Sequence, residues 1–219
     1  MQASRRAPCL ALLALAVLAG ALLPGSRHAA AADAGLEPDS AQELVNALSV
    51  RLLAALERER AALRRDPERV VPLVDELLAP HFDTQYLARL VLGAQWRAAT
   101  PEERQRVQRA LYETLLRTYA GALSEWSAER VRLLPFGGDA LAPQALVRTT
   151  VTRPGKSDVP VDYHLRRTAD GWKIFDVVVD GVSYARTYHD DLDTEISHTG
   201  LEATIVRLEQ RAVRPARTP

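Results

Sequence analysis

Gly181-Val182-Ser183-Tyr184-Ala185 differs in its last residue alone from the Gly-x-Ser-x-Gly turn that presents a nucleophilic serine between a strand and a helix. Acyl transfer at such a serine needs a parallel α/β sheet and a base brought within reach from elsewhere in the chain. The strand before Ser183 closes an antiparallel series, and the histidines downstream, His189 and His198, fall in the helix that Ser183 itself begins. Ser183 therefore reads as the cap of that helix. Asp176 stands between Phe175 and Val177 in an apolar strand, with Ile174 and Val178 expected on its own face. A single acid without a second partner cannot carry acid–base chemistry, so it reads as a buried carboxylate bonded to nearby backbone or to a cation. His81, His164, His189 and His198 form no pair at metal-ligand spacing with cysteine or a recurring carboxylate. Neither catalysis nor a resident metal or cofactor is expected.

These residues sit in a stretch, Trp172 to Ser183, that is apolar on both faces until a glycine stops it, which predicts a central strand covered from both sides. Before it the chain is helical. Ser40 and Glu43 form a reciprocal capping pair, and leucines at 44, 48, 52 and 56 carry the first helix to about Arg65. Asp66-Pro67 stops it and starts a second, Asp66 being suited to accept from free amides and Val70, Val71, Val74, Leu77 and Leu78 forming the buried stripe. Asp83 is placed to cap a third helix with Tyr86, Leu87, Leu90 and Val91, ending at Gly93. Thr100-Pro101-Glu102-Glu103 starts a fourth, which runs to about Leu123.

From Glu129 the period becomes two. Val131 and Leu133, then Ala145 to Val151, then Val159 to Leu165 alternate with polar residues, and glycine-containing turns separate them. With the Trp172 strand they make a four-stranded antiparallel meander, so the fold class is α+β. After Ser183, Tyr184, Tyr188, Leu192 and Ile196 mark a helix that breaks near Thr199-Gly200, and Leu201, Ile205 and Leu208 mark the last one.

Arg5 and Arg6 precede a short apolar run, Leu10 to Leu23, then Pro24, Gly25 and the alanines at 29–32. This order predicts a cleaved secretory signal over residues 1–32, a domain over 33–213 and a disordered tail over 214–219. The one cysteine, Cys9, leaves with the signal, so no disulfide framework is expected. Lys plus Arg and Asp plus Glu number 28 each in the whole chain, and the loss of Arg5, Arg6 and Arg27 leaves the mature chain mildly acidic. Its arginines alternate with acids along helices instead of forming a basic stripe, which argues against nucleic acid as a partner.

The run Trp172-Lys173-Ile174-Phe175-Asp176-Val177-Val178-Val179-Asp180-Gly181-Val182-Ser183, with Gly93-Ala94-Gln95-Trp96, Thr100-Pro101-Glu102-Glu103 and Thr118-Tyr119-Ala120, resembles the toluene-tolerance (MlaC) family of exported lipid-binding proteins. The likeness extends from about Pro67 to Arg211. It implies a sheet and helices that separate to hold acyl chains in an apolar cavity between layers, with phospholipid as cargo and not as cofactor. On that basis the expected tail contacts are Val147, Val151, Val161, Tyr163, Ile174 and Val178 from the sheet, with Leu87, Val91, Leu111, Leu115 and Tyr119 from the helices. The resemblance further implies a periplasmic carrier. Its partners would be an inner-membrane ABC transporter with its ring-forming lipid-transfer subunit and an outer-membrane lipoprotein complex. His189-Asp190-Asp191-Leu192 departs from the basic-then-aromatic pair usual in the family, an acidic turn that bears on docking or head-group preference. A hopanoid-type lipid as cargo, or a scaffold that binds only proteins, are the alternatives.

Overall fold

A computed structural model describes residues 40–123, 130–139, 141–152, 155 and 157–213, with backbone alone for 119–123 and 130. The expected signal at 1–32 and tail at 214–219 lie outside the described residues. Helix α1 (Ala41–Arg65) opens on the capping pair read from sequence, Ser40 Oγ accepting from the Glu43 amide and Glu43 accepting from the Ser40 amide. Asp66 ends it through its backbone amide, which bonds the Ala62 carbonyl; contrary to expectation its side chain caps nothing. A 3-10 turn, Pro67–Arg69, leads into α2 (Val70–Leu78). Asp83 caps α3 (Thr84–Leu92) by accepting from the Tyr86 amide at 2.9 Å. The short α4 (Gln95–Ala98) precedes α5 (Pro101–Leu123), which Thr100 and Glu103 cap reciprocally at 3.2 and 2.7 Å.

Five antiparallel strands follow in sequence order: β1 (Arg130–Leu133), β2 (Gln144–Thr152), β3 (Val159–Thr168), β4 (Gly171–Val179) and β5 (Val182–Ser183). The fifth strand corrects the expected four. Asp180-Gly181 is a two-residue hairpin loop with φ of 51° and 80°, so the chain reverses once more before α6 (Tyr184–Thr199) begins. Left-handed φ at both loop residues matches the right-handed twist of the flanking strands, which is why Asp-Gly is favoured there. Helix α7 (Leu201–Ala212) completes the described chain.

β4 is therefore not central. Its outer neighbour is the two-residue β5 and, further along, the segment before α3: Phe82 bridges Ile174, and the Asp83 amide donates to the Ile174 carbonyl at 2.8 Å. Lys173 Nζ reaches the Pro80 carbonyl beside it. An edge that would otherwise offer unpaired backbone groups is thus closed. Both faces of β4 are nevertheless covered, the inner by the core that α1 and α2 share and the outer by α3 and α6.

Phe175 is the second departure. His164 pairs with Asp176 and Leu165 with Ile174, leaving Phe175 as an extra residue, a β-bulge. The alternation shifts by one at that point. Ile174 and Val177 lie on the inner face, while Asp176 and Val178 lie on the outer, so Asp176 and Ile174 do not share a face as the even spacing suggested.

Candidate functional site

The inner face of the sheet is an aliphatic floor. Val147, Val151, Val161 and Ile174 are almost completely buried on it, and Tyr163 at its middle is 1% exposed. The alternation of β2 and β3 places these side chains together because residues directly opposite share a face. Above them lies the leucine stripe of α1, with Leu44, Leu48, Leu52 and Leu56 each at 4% exposure or less, joined by Val70 and Val74 of α2. Half-buried apolar side chains fringe this layer: Leu73 and Leu77 of α2, Phe82, Leu116 of α5, Val177 and Tyr184.

A second apolar cluster holds the helical layer together. Leu87 and Val91 of α3, Leu111 of α5, Leu192 of α6 and Ile205 of α7 are buried in it, with Leu115 packed at its margin. Ion pairs clamp its outer surface, Arg106 of α5 holding Glu202 and Glu209 of α7, and Glu195 of α6 holding Arg207 and Arg211. The tail-contact residues expected from sequence are thus divided between two clusters. Val147, Val151, Val161, Tyr163 and Ile174 come together on the floor under α1. Leu87, Val91, Leu111 and Leu115 gather among the helices, and Val178, displaced by the bulge, faces outward opposite Asp162 and Ser183. The Tyr119 side chain lies outside the described residues. Helix α5 serves both clusters, Leu116 going to one and Leu115 to the other.

Polar groups on the floor are few, and the hydroxyls at its middle are paired with one another and with backbone. Thr149 donates to the Val161 carbonyl at 2.9 Å, and the Tyr163 hydroxyl bonds to Thr149. Burial pushes the Tyr163 hydroxyl well above the ordinary phenol range, so it stays protonated and neutral. Such a surface, apolar with hydroxyls held in place at its middle, suits hydrocarbon.

Ser183 and Asp176 are committed to the strand-to-helix junction. Ser183 Oγ donates to Asp176 Oδ2 at 2.6 Å and accepts from the Arg186 amide at 3.1 Å, while Asp176 Oδ1 accepts from the Ala185 amide at 2.9 Å. The carboxylate and hydroxyl together satisfy two first-turn amides of α6, where the helix dipole also favours negative charge. The expectation that Ser183 is a cap and that Asp176 bonds nearby backbone holds, but Asp176 is half-buried and not buried as expected. Gly93 owes its place to His189: with φ of 51°, the α3 terminus lets the imidazole pack where a Cβ would stand, and His189 Nδ1 bonds the Val91 carbonyl at 2.9 Å. His189, read from sequence as part of an altered docking turn, is thus also a tie between α6 and α3. Among the described residues no group of three or more side chains could hold a metal ion, and no helix is long and apolar enough to cross a membrane.

Leu77 is legible in the sequence as part of the buried stripe of the second helix, but Leu73, Leu116 and Phe82 are not legible there as fringing the floor. The four-residue leucine spacing of α1 was the available signal for its partner layer; nothing comparable marked Phe82 or Leu116.

The profile that describes the MlaC family, "MlaC protein", matches residues 46–210. The toluene tolerance protein ttg2D of Pseudomonas putida is 25% identical over 166 residues, covering 74% of this chain and 77% of its own. The intermembrane phospholipid transport system binding protein MlaC of Haemophilus influenzae is 20% identical over 170 residues, 75% of this chain and 78% of its own. Among solved structures, the phospholipid-binding protein of Ralstonia solanacearum, determined in complex with a phospholipid, superposes with a TM-score of 0.74. It is 29% identical and the match covers 79% of this chain and 97% of that one.

Proposed function

The chain belongs to the MlaC family, and from that premise we propose that it binds phospholipid with the acyl chains between the inner face of its sheet and the covering helices. The observation that carries this reading is the match, over 79% of this chain, to a phospholipid-bound relative, joined to an inner face of this chain that is predominantly apolar from Val131 to Ile174. Burying each methylene of an acyl chain is worth about 0.8 kcal/mol. A chain of about sixteen carbons therefore gains on the order of 12 kcal/mol by leaving water. That gain must exceed the cost of parting α1 and α2 from the floor, and the half-buried residues Leu73, Leu77, Leu116 and Val177 are the contacts that can rearrange at least expense.

In this reading the protein is exported by a cleaved signal and acts in the periplasm without a cofactor or a covalent step. It carries lipid between an inner-membrane ABC transporter with its ring-forming lipid-transfer subunit and an outer-membrane lipoprotein complex; the Haemophilus relative, an intermembrane phospholipid transport system binding protein, supports a place in such a system. Extraction of the purified exported protein followed by lipid mass spectrometry tests the proposal. Phospholipid at near one-to-one stoichiometry is the expected result. A polycyclic hopanoid-type lipid would reassign the cargo, and no lipid at all would leave a protein-binding scaffold.

A further inference from the structure

Trp172 is the last inner-face residue of β4 at the β3–β4 turn, paired across the strands with Arg167. It is 6% exposed, and its indole Nε1 is fully buried with no hydrogen-bond partner among the described residues. The neighbours in register on that face, Leu165 and Ile174, are apolar, and the Arg167 guanidinium stands over the ring at 4.8 Å with no acceptor to offer. None of these side chains supplies an acceptor for the indole N–H. At the opposite end of the inner face Val131, Val151, Val159 and Val179 are all aliphatic. The inner face thus has one end with an unmet donor and one without.

We infer that the Trp172 indole N–H donates a hydrogen bond to an ester carbonyl oxygen of bound glycerolipid and so fixes how deeply the acyl chains enter. The inference rests on the phospholipid-binding reading above. An ester carbonyl is the group that lies where hydrocarbon gives way to the polar part of the lipid, and Trp172 lies where the aliphatic floor gives way to Arg167 and the turn. The indole N–H is buried among these side chains, so a lipid carbonyl would supply an acceptor without a new desolvation of that N–H.

The test uses the full mature chain carrying 15N-labelled tryptophan, stripped of lipid and then loaded with dioleoyl phosphatidylglycerol or with its dialkyl ether analogue, which lacks the carbonyls. Trp172→Phe identifies the resonance and removes the donor. The expected result is a downfield indole proton shift that is larger with the diester than with the ether. The variant should bind the diester about fivefold to tenfold more weakly, as loss of one such bond implies, while its ether affinity is unchanged. An indole signal that answers both lipids alike, or a variant that weakens both equally, overturns the inference and leaves lipid binding standing. Failure of the wild-type chain to bind either lipid overturns the phospholipid reading and the inference with it.

Discussion

Replacing Asp176 by alanine removes two acceptors at once, the one that Ser183 Oγ reaches at 2.6 Å and the one that the Ala185 amide reaches at 2.9 Å. Hydrogen bonds to a charged group contribute about 1.5–3 kcal/mol each. A carboxylate at a helix N-terminus adds about 0.3–1 kcal/mol. Asp176 and Ser183 are only half-buried, so water compensates part of the loss and the low end applies, about 3 kcal/mol in all. At about 2–4 °C per kcal/mol for a domain of this size, the melting temperature should fall by roughly 6–12 °C. Asp176→Asn keeps an oxygen for one of the two donors and should lose about half as much, while Ser183→Ala should cost about 1 kcal/mol, as for other caps. Because the two residues bond one another, the double variant should cost less than the sum. Thermal unfolding followed by circular dichroism reads all four. A variant Asp176→Ala that melts within about 2 °C of the wild type but loses its lipid would refute the assignment, and would make the carboxylate a ligand contact.

Gly93→Ala should destabilise by about 1–3 kcal/mol, since the added Cβ would stand 2.8 Å from His189 Cε1 at a backbone φ of 51°. Measured in a His189→Ala background, which removes both the clash and the Val91 bond, Gly93→Ala should cost the conformational part alone, and denaturant titration of the four proteins separates the two. Burial, with Lys173 and Arg51 nearby, holds the His81 pKa below its ordinary value of 6.5. The unfolded chain then binds a proton that the folded chain does not, so stability present above pH 6.5 declines as pH falls below it; His81→Gln should flatten that decline. Val177, half-buried on the inner face opposite Tyr163, is a place where bulk competes with cargo. Val177→Trp should lower co-purifying lipid by at least half, at an overpacking cost of about 1–3 kcal/mol that lowers the melting temperature by roughly 2–12 °C.

Local signals in the chain translated directly into structure. Ser40 with Glu43, Thr100 with Glu103, and Asp83 each cap the helix that their spacing announced, because a cap is satisfied within four residues and needs no tertiary partner. The alternation of β2 and β3 likewise named the floor residues, since one face of a strand is determined by parity alone. Parity failed where the backbone inserted a residue: the bulge at Phe175 sent Val178 to the outer face, and the Trp172 strand, apolar on both faces around Asp176, had no alternation to reveal it. Asp180-Gly181 did carry a hairpin signal, but the strand it serves is two residues long and has no periodicity to support it. Leu87, Val91, Leu111 and Leu115 show the deeper limit. Their spacing says that a helix face is buried, and says nothing of which layer buries it.

The central claim is that acyl chains lie on the inner face of the sheet beneath α1. A phospholipid carrying a photoreactive diazirine near the end of one acyl chain, loaded into the purified protein, irradiated and mapped by peptide mass spectrometry, tests it most directly. Labelled peptides should come from β2, β3 and the Leu44–Leu56 stretch of α1. Labelling confined to α6 and α7, or to the outward residues Arg148 and Asp162, would contradict the account.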